Sequence, residues 1–498
     1  MWVWRTRNRP SNLQSGHKVS DNRVNISSTI LRAIKMFGGV QVVSNICSVV
    51  LNKLVAVWIG PAGMGLFSIF NSAIDMLRSG TSLGLRTSAV RDIAMAHGSG
   101  DTKALNRIVA VVRRWAWFIS IFGAVTTMAL APALSLWSFG STDHLWDFVL
   151  LACVLLFNGF ANSELAILQG LEKLKRLANA SLLGTVMGLV LSIPLFYWLR
   201  IDSIILFSLI VYHASLLVAA LIYRHKGSAK VTVSNKEALR EGSAFVKLGL
   251  LMTLSEFITM LFNYIFSAYL NRVAGTEIVG FYQAGYSLVG RYFGLIFTAI
   301  GMEYYPRITR VCHSRLRTRV FASQEVNIMM LCLLPIISIF LIARELIVSI
   351  LYSGEFRAII PYISFAIVGT VMRAYSWFLA IVIVARGDGK IYIVTETLSV
   401  LTGFALNVAC YHLWGLAGLG VAFCLWYAAY CLIVGVVYFR SYGYSLSRQS
   451  SLLSLFTLAF CAAIVFLLNE GWLWAAIAAT AIISLFAGIR LRRLVSHR

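Results

Sequence analysis

Eight ionisable side chains stand where the surrounding sequence is almost wholly apolar: Lys53, Asp75, Arg78, Glu164, Glu256, Arg291, Arg373 and Glu396. Each falls in a run long enough to cross a bilayer, where a charge costs about 2.5–3.5 kcal/mol on insertion scales. A charge kept there pairs inside the protein, reaches back to the headgroups, or meets a polar substrate in a wet cavity. For Glu164, Glu256 and Glu396 the first two readings weigh as much as the third. Lys53, towards one end of its run, favours the headgroups. Arg291 sits mid-run. An arginine offers a planar fork that matches phosphate oxygens in pairs, so a basic cavity built from Arg78 and Arg291 implies an anionic substrate.

The elements that carry these charges follow from composition. The chain of 498 residues is 59% hydrophobic and 13% charged, against about a quarter charged in soluble domains. It reads as an all-α polytopic membrane protein. Spans of about 20 apolar residues are predicted at 30–58, 63–88, 112–138, 145–168, 177–199, 203–223, 246–271, 278–304, 323–343, 359–385, 391–412 and 416–439, with a final hairpin at 451–469 and 472–489. That makes about fourteen transmembrane helices. Residues 1–27 form a basic tail with no cleavable signal.

Net charge is +23, yet the basic residues cluster in short loops after every second span, as membrane orientation requires. This places both termini in the cytoplasm, makes anionic lipid the partner of the surface charge, and argues against nucleic acid. The eight cysteines show no CxxC or ligand spacing, so neither a metal site nor a structural disulfide is expected. No cofactor is implied.

Two correspondences reveal an internal repeat. Gly60-Pro61-Ala62-Gly63 reads as a tight turn between helices 1 and 2, and the stretch after it recurs 215 residues on, with Gly65 matching Gly280, Leu66-Phe67 matching Phe281-Tyr282 and Ser72 matching Ser287. Gln169-Gly170 to Lys173 matches Arg386-Gly387 to Lys390 at an offset of 217. The chain therefore divides into a lobe at 28–224, an inter-lobe loop at 225–245, a second lobe at 246–440 and an added hairpin at 449–490. The two six-helix lobes start on the same side, a parallel repeat typical of transporters. The repeat sets Arg291 opposite Met76, between Asp75 and Arg78, so both halves place a cation at a similar depth. Asp75 can partner either arginine. Aromatic residues crowd the same elements, among them Phe67, Phe70, Phe281, Tyr282, Tyr286, Tyr292, Phe293, Tyr375 and Trp377. They suit a sugar-stacking wall or, more simply, a packed core.

At these residues the sequence resembles the Wzx-type O-antigen flippases. They belong to the multidrug/oligosaccharidyl-lipid/polysaccharide exporter superfamily, with the multidrug and toxic-compound exporters and the lipid II flippases. The resemblance rests on the GPAGMGLFSIFNS turn, its repeat, Tyr304-Tyr305-Pro306-Arg307 and Gly387-Asp388-Gly389-Lys390, and it covers about residues 28–440. It implies a V-shaped, two-lobed transporter of the bacterial cytoplasmic membrane, working by alternating access. The cargo implied is an undecaprenyl-pyrophosphate-linked oligosaccharide, an O-antigen or related surface polysaccharide unit, moved from the inner to the outer leaflet. Arg78, Arg291, Arg373 and Lys53 would then line the pyrophosphate and glycan cavity. Asp75, Glu256 and Glu396 would be places for coupling to a proton or sodium gradient. A polysaccharide polymerase and chain-length proteins are the implied protein partners. Two features depart from the pattern: the last hairpin exceeds the usual twelve helices, and Arg91 stands where the repeat of Pro306 would fall.

Three rival readings remain open. A multidrug or cation exporter of the same fold resembles its kin in an acidic residue in helix 1, but residues 30–58 contain none. A lipid II flippase fits fourteen helices. A membrane glycan polymerase or acyltransferase calls for a large outer loop, and the longest here, about 344–357, is short. Enzymatic activity is not expected.

Overall fold

The computed structural model describes residues 42–199, 203–226, 233–443 and 445–496. The predicted basic tail lies outside the described residues. Described residues outside turns and loops are helical throughout, with no strand. The first half comprises α1 (Val42–Trp58) and then α2 (Gly60–Thr81), α3 (Leu85–Gly98), α4 (Thr102–Phe139), α5 (Leu145–Gly170), α6 (Leu174–Leu199) and α7 (Ser203–Ile222). The second comprises α8 (Asn235–Ala274), α9 (Thr276–Tyr286), a π-helical turn (Ser287–Tyr292), α10 (Phe293–Val311), α11 (Arg315–Ile342), the short α12 (Arg344–Leu351), a 3-10 turn (Gly354–Ile359), α13 (Ile360–Ala385) and α14 (Gly389–Val437). The hairpin is α15 (Arg448–Asn469) and α16 (Leu473–Ser496). With α2–α3 and α9–α10 each counted as one interrupted crossing, and α14 as two crossings bent at Gly415, the fourteen predicted spans are all represented.

Local chemistry sets the boundaries. The turn between α1 and α2 is tighter than the sequence implies. Ile59 and Gly60 (φ 78°) make it, and Pro61 joins the first turn of α2, where its missing N–H is not needed. Asp101 caps α4 by accepting from Lys103 N and Ala104 N. Residues 235–245, read from sequence as connection, are the opening of α8, started by a reciprocal capping box between Ser234 and Glu237.

The repeat is visible in how loops are pinned. In the first half Lys173 donates to His225 Nδ1 at 2.9 Å. Burial and the nearby Lys173, Arg113 and Arg176 charges hold His225 below the ordinary imidazole pKa, so the neutral ring can accept. In the second half Tyr442 does the same duty, donating to Asp388 at 2.6 Å and lying under Arg386, 4.2 Å from its ring centroid. His225 and Tyr442 are 217 residues apart, the loop offset itself.

The two lobes meet most closely at the end of the molecule that carries the Gly60 turn. There α2 crosses α9 at the repeat-related glycines: a Cβ on Gly65 would overlap the Thr276 carbonyl, and one on Gly280 the Pro61 carbonyl. The same end of α8 is tied to both lobes. Tyr264 shares a hydrogen bond with Ser138 at 2.8 Å, Asn271 donates to Ser138 O at 2.7 Å, and Arg272 donates to Leu136 O at 2.8 Å. Opposite, Tyr269 meets His412 Nε2 at 2.6 Å. At the other end, rich in basic loops, α10 packs on α11 and α13 of its own half. Among the described residues no first-half helix packs extensively against it. There the opening of α8 meets the first half instead: Arg107 pairs with Glu241 at 2.6 Å and Trp115 Nε1 donates to Ala238 O at 2.7 Å, so α8 ties the halves together at both ends.

The hairpin rides on the outside of the second lobe, against α11 and α13. Ser447 N donates to Ser323 Oγ at 2.9 Å, Ser450 Oγ to Ser323 O at 3.0 Å, and Arg344 to Asn469 Oδ1 at 3.3 Å.

Candidate functional site

The predicted second span is not one helix. It breaks at Ser82–Gly84, where Leu83 (φ 48°) and Gly84 (φ 65°) are consecutively left-handed. For leucine that conformation costs roughly 1–2 kcal/mol, and it is held by packing onto the cluster of Leu85, Ile93 and Ile167. Backbone strain of this kind concentrates at functional sites. The break bounds a cavity of about 320 Å³ lined by Arg78, Ser82, Gly84 and Arg86, by Ser120 and Gly123 of α4, by Asn158, Gly159 and Asn162 of α5, and by Glu256 of α8. Arg86 Nη1 donates to Asn162 Oδ1 at 3.2 Å, and Asn162 donates back along α5 to Asn158 O at 3.0 Å. Among the described lining residues two guanidiniums face one carboxylate. The cavity is basic, with neutral amides and hydroxyls on the remaining polar wall.

A second, smaller cavity of about 170 Å³ lies farther along the same face of α2, towards Gly60, lined by Asn52, Asn71, Asp75, Tyr212, His213 and Gln283 among others. His213 Nδ1 donates to the Leu209 carbonyl at 2.8 Å. An ion pair joins the walls of the two cavities, Arg78 Nη2 to Asp75 Oδ1 at 3.0 Å. One turn of α2 therefore places a cation on one wall and its carboxylate on another.

Of the residues singled out in the sequence, Arg78 and Glu256 share the larger cavity and Asp75 lines the smaller. The Arg291 backbone belongs to the π-helical turn; its side chain lies outside the described residues. Arg373 donates to Gly290 O of that turn at 3.2 Å, with Phe297 and Tyr427 rings beside its guanidinium, and lines neither polar cavity. Glu396 accepts from Tyr430 OH. Lys53 is an exposed residue of α1. Glu164 is an internal ion-pair partner, held by Arg113 through bonds of 2.7 and 2.9 Å. Most of the aromatic residues pack as core: Phe70 on Phe148, Phe281 on Phe356, Tyr282 on Phe266, Trp377 on Phe378.

Arg86, Asn158, Asn162 and Ser120 are the residues that the sequence reading passes over. Arg86 lies within the predicted span 63–88, and Asn158 and Asn162 are spaced i, i+4 on one helix face. Both signals were present in the sequence.

A family model described as polysaccharide biosynthesis protein matches residues 61–361, more than half of the chain. The chain belongs to that family. The chain is 23% identical over 348 residues to the Lipid III flippase of Escherichia coli (strain K12), covering 70% of this chain and 83% of the relative. Its fold matches that of the lipid II flippase MurJ in an inward closed conformation, with a TM-score of 0.70 at 12% identity over 92% of this chain and 99% of the other. An inward-facing multidrug transporter of the MOP superfamily gives 0.65 at 15% identity, over 83% and 95%. An outward-facing one gives 0.55 at 14% identity, over 84% and 96%. The chain therefore shares the two-lobed fold of these proteins, carries a further hairpin, and is a multi-pass membrane protein.

Proposed function

We propose that this protein is a flippase that carries an undecaprenyl-pyrophosphate-linked oligosaccharide, an O-antigen or related surface polysaccharide unit, across the bacterial cytoplasmic membrane. The observation that carries the reading is the larger cavity, in which Arg78 and Arg86 outnumber Glu256. A cavity of that polarity suits an anionic head and disfavours the cationic cargo of a multidrug exporter. The end that carries the basic loops is the cytoplasmic end by the distribution of lysine and arginine, so the end where α2 crosses α9 faces outward. The substrate would load from the inner leaflet into a protein whose outer gate is shut.

In this reading Arg78 and Arg291 grip the pyrophosphate, with Arg373 and Lys53 as further cationic contacts. Asp75 in the smaller polar cavity is the place for proton or sodium coupling, since an ion bound there competes with Arg78 for the same carboxylate. Glu256 and Glu396 are the alternative coupling carboxylates. A lipid II flippase of the same fold is the nearest alternative reading.

The test is leaflet transfer in liposomes that contain a fluorescent undecaprenyl-pyrophosphate oligosaccharide. Wild type is expected to transfer it, with Arg78→Ala and Arg291→Ala each slowing transfer about tenfold or more, as loss of a charge-assisted contact implies, and the lysine variants retaining part. Transfer indifferent to both alanine variants removes these arginines from the site. Absence of transfer together with efflux of a cationic dye replaces the flippase by an exporter.

A further inference from the structure

The break between α2 and α3 has more in it than Arg78. We infer that the break is a binding subsite for a lipid phosphate at the depth of the inner-leaflet headgroups, made by Arg86, the first turn of α3 and Ser120. This rests on the reading of the basic end as cytoplasmic and deepens the proposed function by naming where the head of the substrate first docks.

Three independent observations converge. The first is depth. Measured from Gly60, the 22 residues of α2 rise about 33 Å at 1.5 Å each, close to the thickness of the hydrocarbon core. The break therefore stands where the inner-leaflet phosphates begin. The second is the field. The 14-residue α3 starts at Gly84 with no side chain capping it, so its positive end faces the cavity beside a guanidinium whose hydrogen-bond partner is the neutral Asn162 Oδ1. The third is an unmet hydroxyl. Ser120 is 2% exposed and borders the cavity, and its Oγ has no hydrogen-bond partner among the described residues. A buried hydroxyl left so costs stability unless something else bonds it. A phosphate oxygen accepts from a hydroxyl, from backbone N–H groups and from arginine alike, so one ligand answers all three. Glu256, on the α8 wall, opposes an anion and leaves the Arg86 side of the cavity as the favoured place for it.

A phosphate at this site could belong to the pyrophosphate of the substrate or to an anionic phospholipid, and one experiment separates them. The full-length protein is placed in nanodiscs of phosphatidylcholine, and saturation binding of radiolabelled, sugar-free undecaprenyl pyrophosphate is measured. Arg86→Gln should weaken binding about tenfold or more, Arg86→Lys less, and Ser120→Ala about threefold. Arg440→Gln, an exposed cation elsewhere at the basic end, should change it less than twofold. If phosphatidylglycerol displaces the label at equal concentration, the site is a headgroup site; if it does not, the site belongs to the substrate. Wild-type binding by both Arg86→Gln and Ser120→Ala overturns the inference, provided both variants remain monodisperse. The two proposals fail separately. Arg86-dependent binding without oligosaccharide transfer sinks the flippase reading alone, whereas transfer with Arg86-independent binding sinks only the subsite.

Discussion

The two halves are repeats, yet they treat the same place differently. Under the offset of 215, Arg86 of the first half corresponds to Gly301 of the second, and Ser82 to Phe297; under 217, Asn158 and Asn162 correspond to Tyr375 and Leu379. Where the first half keeps a polar cavity, the second is filled with rings. A Cβ on Gly301 would press on the Trp377 indole at 3.2 Å, and Trp377 in turn packs on Phe297 at 5.5 Å between centroids. The helix interruptions differ too. The first half breaks with left-handed residues at Leu83–Gly84, and the second widens into a π turn whose Gly290 carbonyl, the counterpart of Asp75, is held by Arg373. Duplication has thus supplied two scaffolds. One retains solvated polar groups able to meet a ligand, and the other has exchanged them for packing and a backbone clasp. The asymmetry gathers the polar groups of the larger cavity mostly in the first half, with Thr253 and Glu256 of α8 closing it from the second.

The comparison can be broken at the place where the halves are most alike. Gly65→Leu should force the lobes apart at their glycine crossing, because its side chain has only backbone to displace. Overpacking costs of about 1–3 kcal/mol translate into roughly a five- to 150-fold shift of a two-state gate, read as cysteine accessibility at the outward end and as lost transfer. Gly65→Ala should lie between. A protein that still closes with leucine at 65 shows that the crossing is not the gate.

Removing a buried partner comes next. Glu164→Ala leaves Arg113 without its bidentate partner and should destabilise by about 3 kcal/mol, seen as a lower midpoint in thermal unfolding. The double variant Arg113→Met/Glu164→Leu should recover most of that loss. Failure to recover it would give the pair a role beyond stability.

Trp377→Ala sharpens the contrast between the lobes. Loss of a half-buried indole should cost about 2 kcal/mol while leaving binding of undecaprenyl pyrophosphate within twofold. A large fall in binding would place the ligand in the second lobe instead. Smallest of all, Tyr269→Phe removes one hydrogen bond to His412 and should lower stability by about 1 kcal/mol; a marked loss of transfer with that variant would make the Tyr269–His412 contact part of the outer gate.

Much of this architecture was legible in the chain. Hydropathy, basic loops and the Gly65–Gly280 match are local or periodic signals, and they mark the crossings, the repeat and the hairpin without reference to any contact. Arg78 and Glu256 could also be picked out, because a charge in an apolar run is conspicuous at any distance. The break was only half legible: Gly84 permits a left-handed backbone, but nothing marks Leu83, on which packing against Leu85 and Ile93 imposes one. Arg86 was hidden by its position near a span end, where an arginine ordinarily reaches the headgroups.

By itself the sequence determined that the chain crosses the membrane many times as two related lobes, because apolar length and charge distribution answer directly to the bilayer. Only the tertiary structure decided which of the buried charges share a space. Arg78, Arg86 and Glu256 come together, Glu164 withdraws into a salt bridge, and Arg373 is taken up by a carbonyl. Each outcome depends on which helix faces which, and that is fixed by contacts between residues far apart in the chain, such as Gly65 with Thr276 and Arg113 with Glu164.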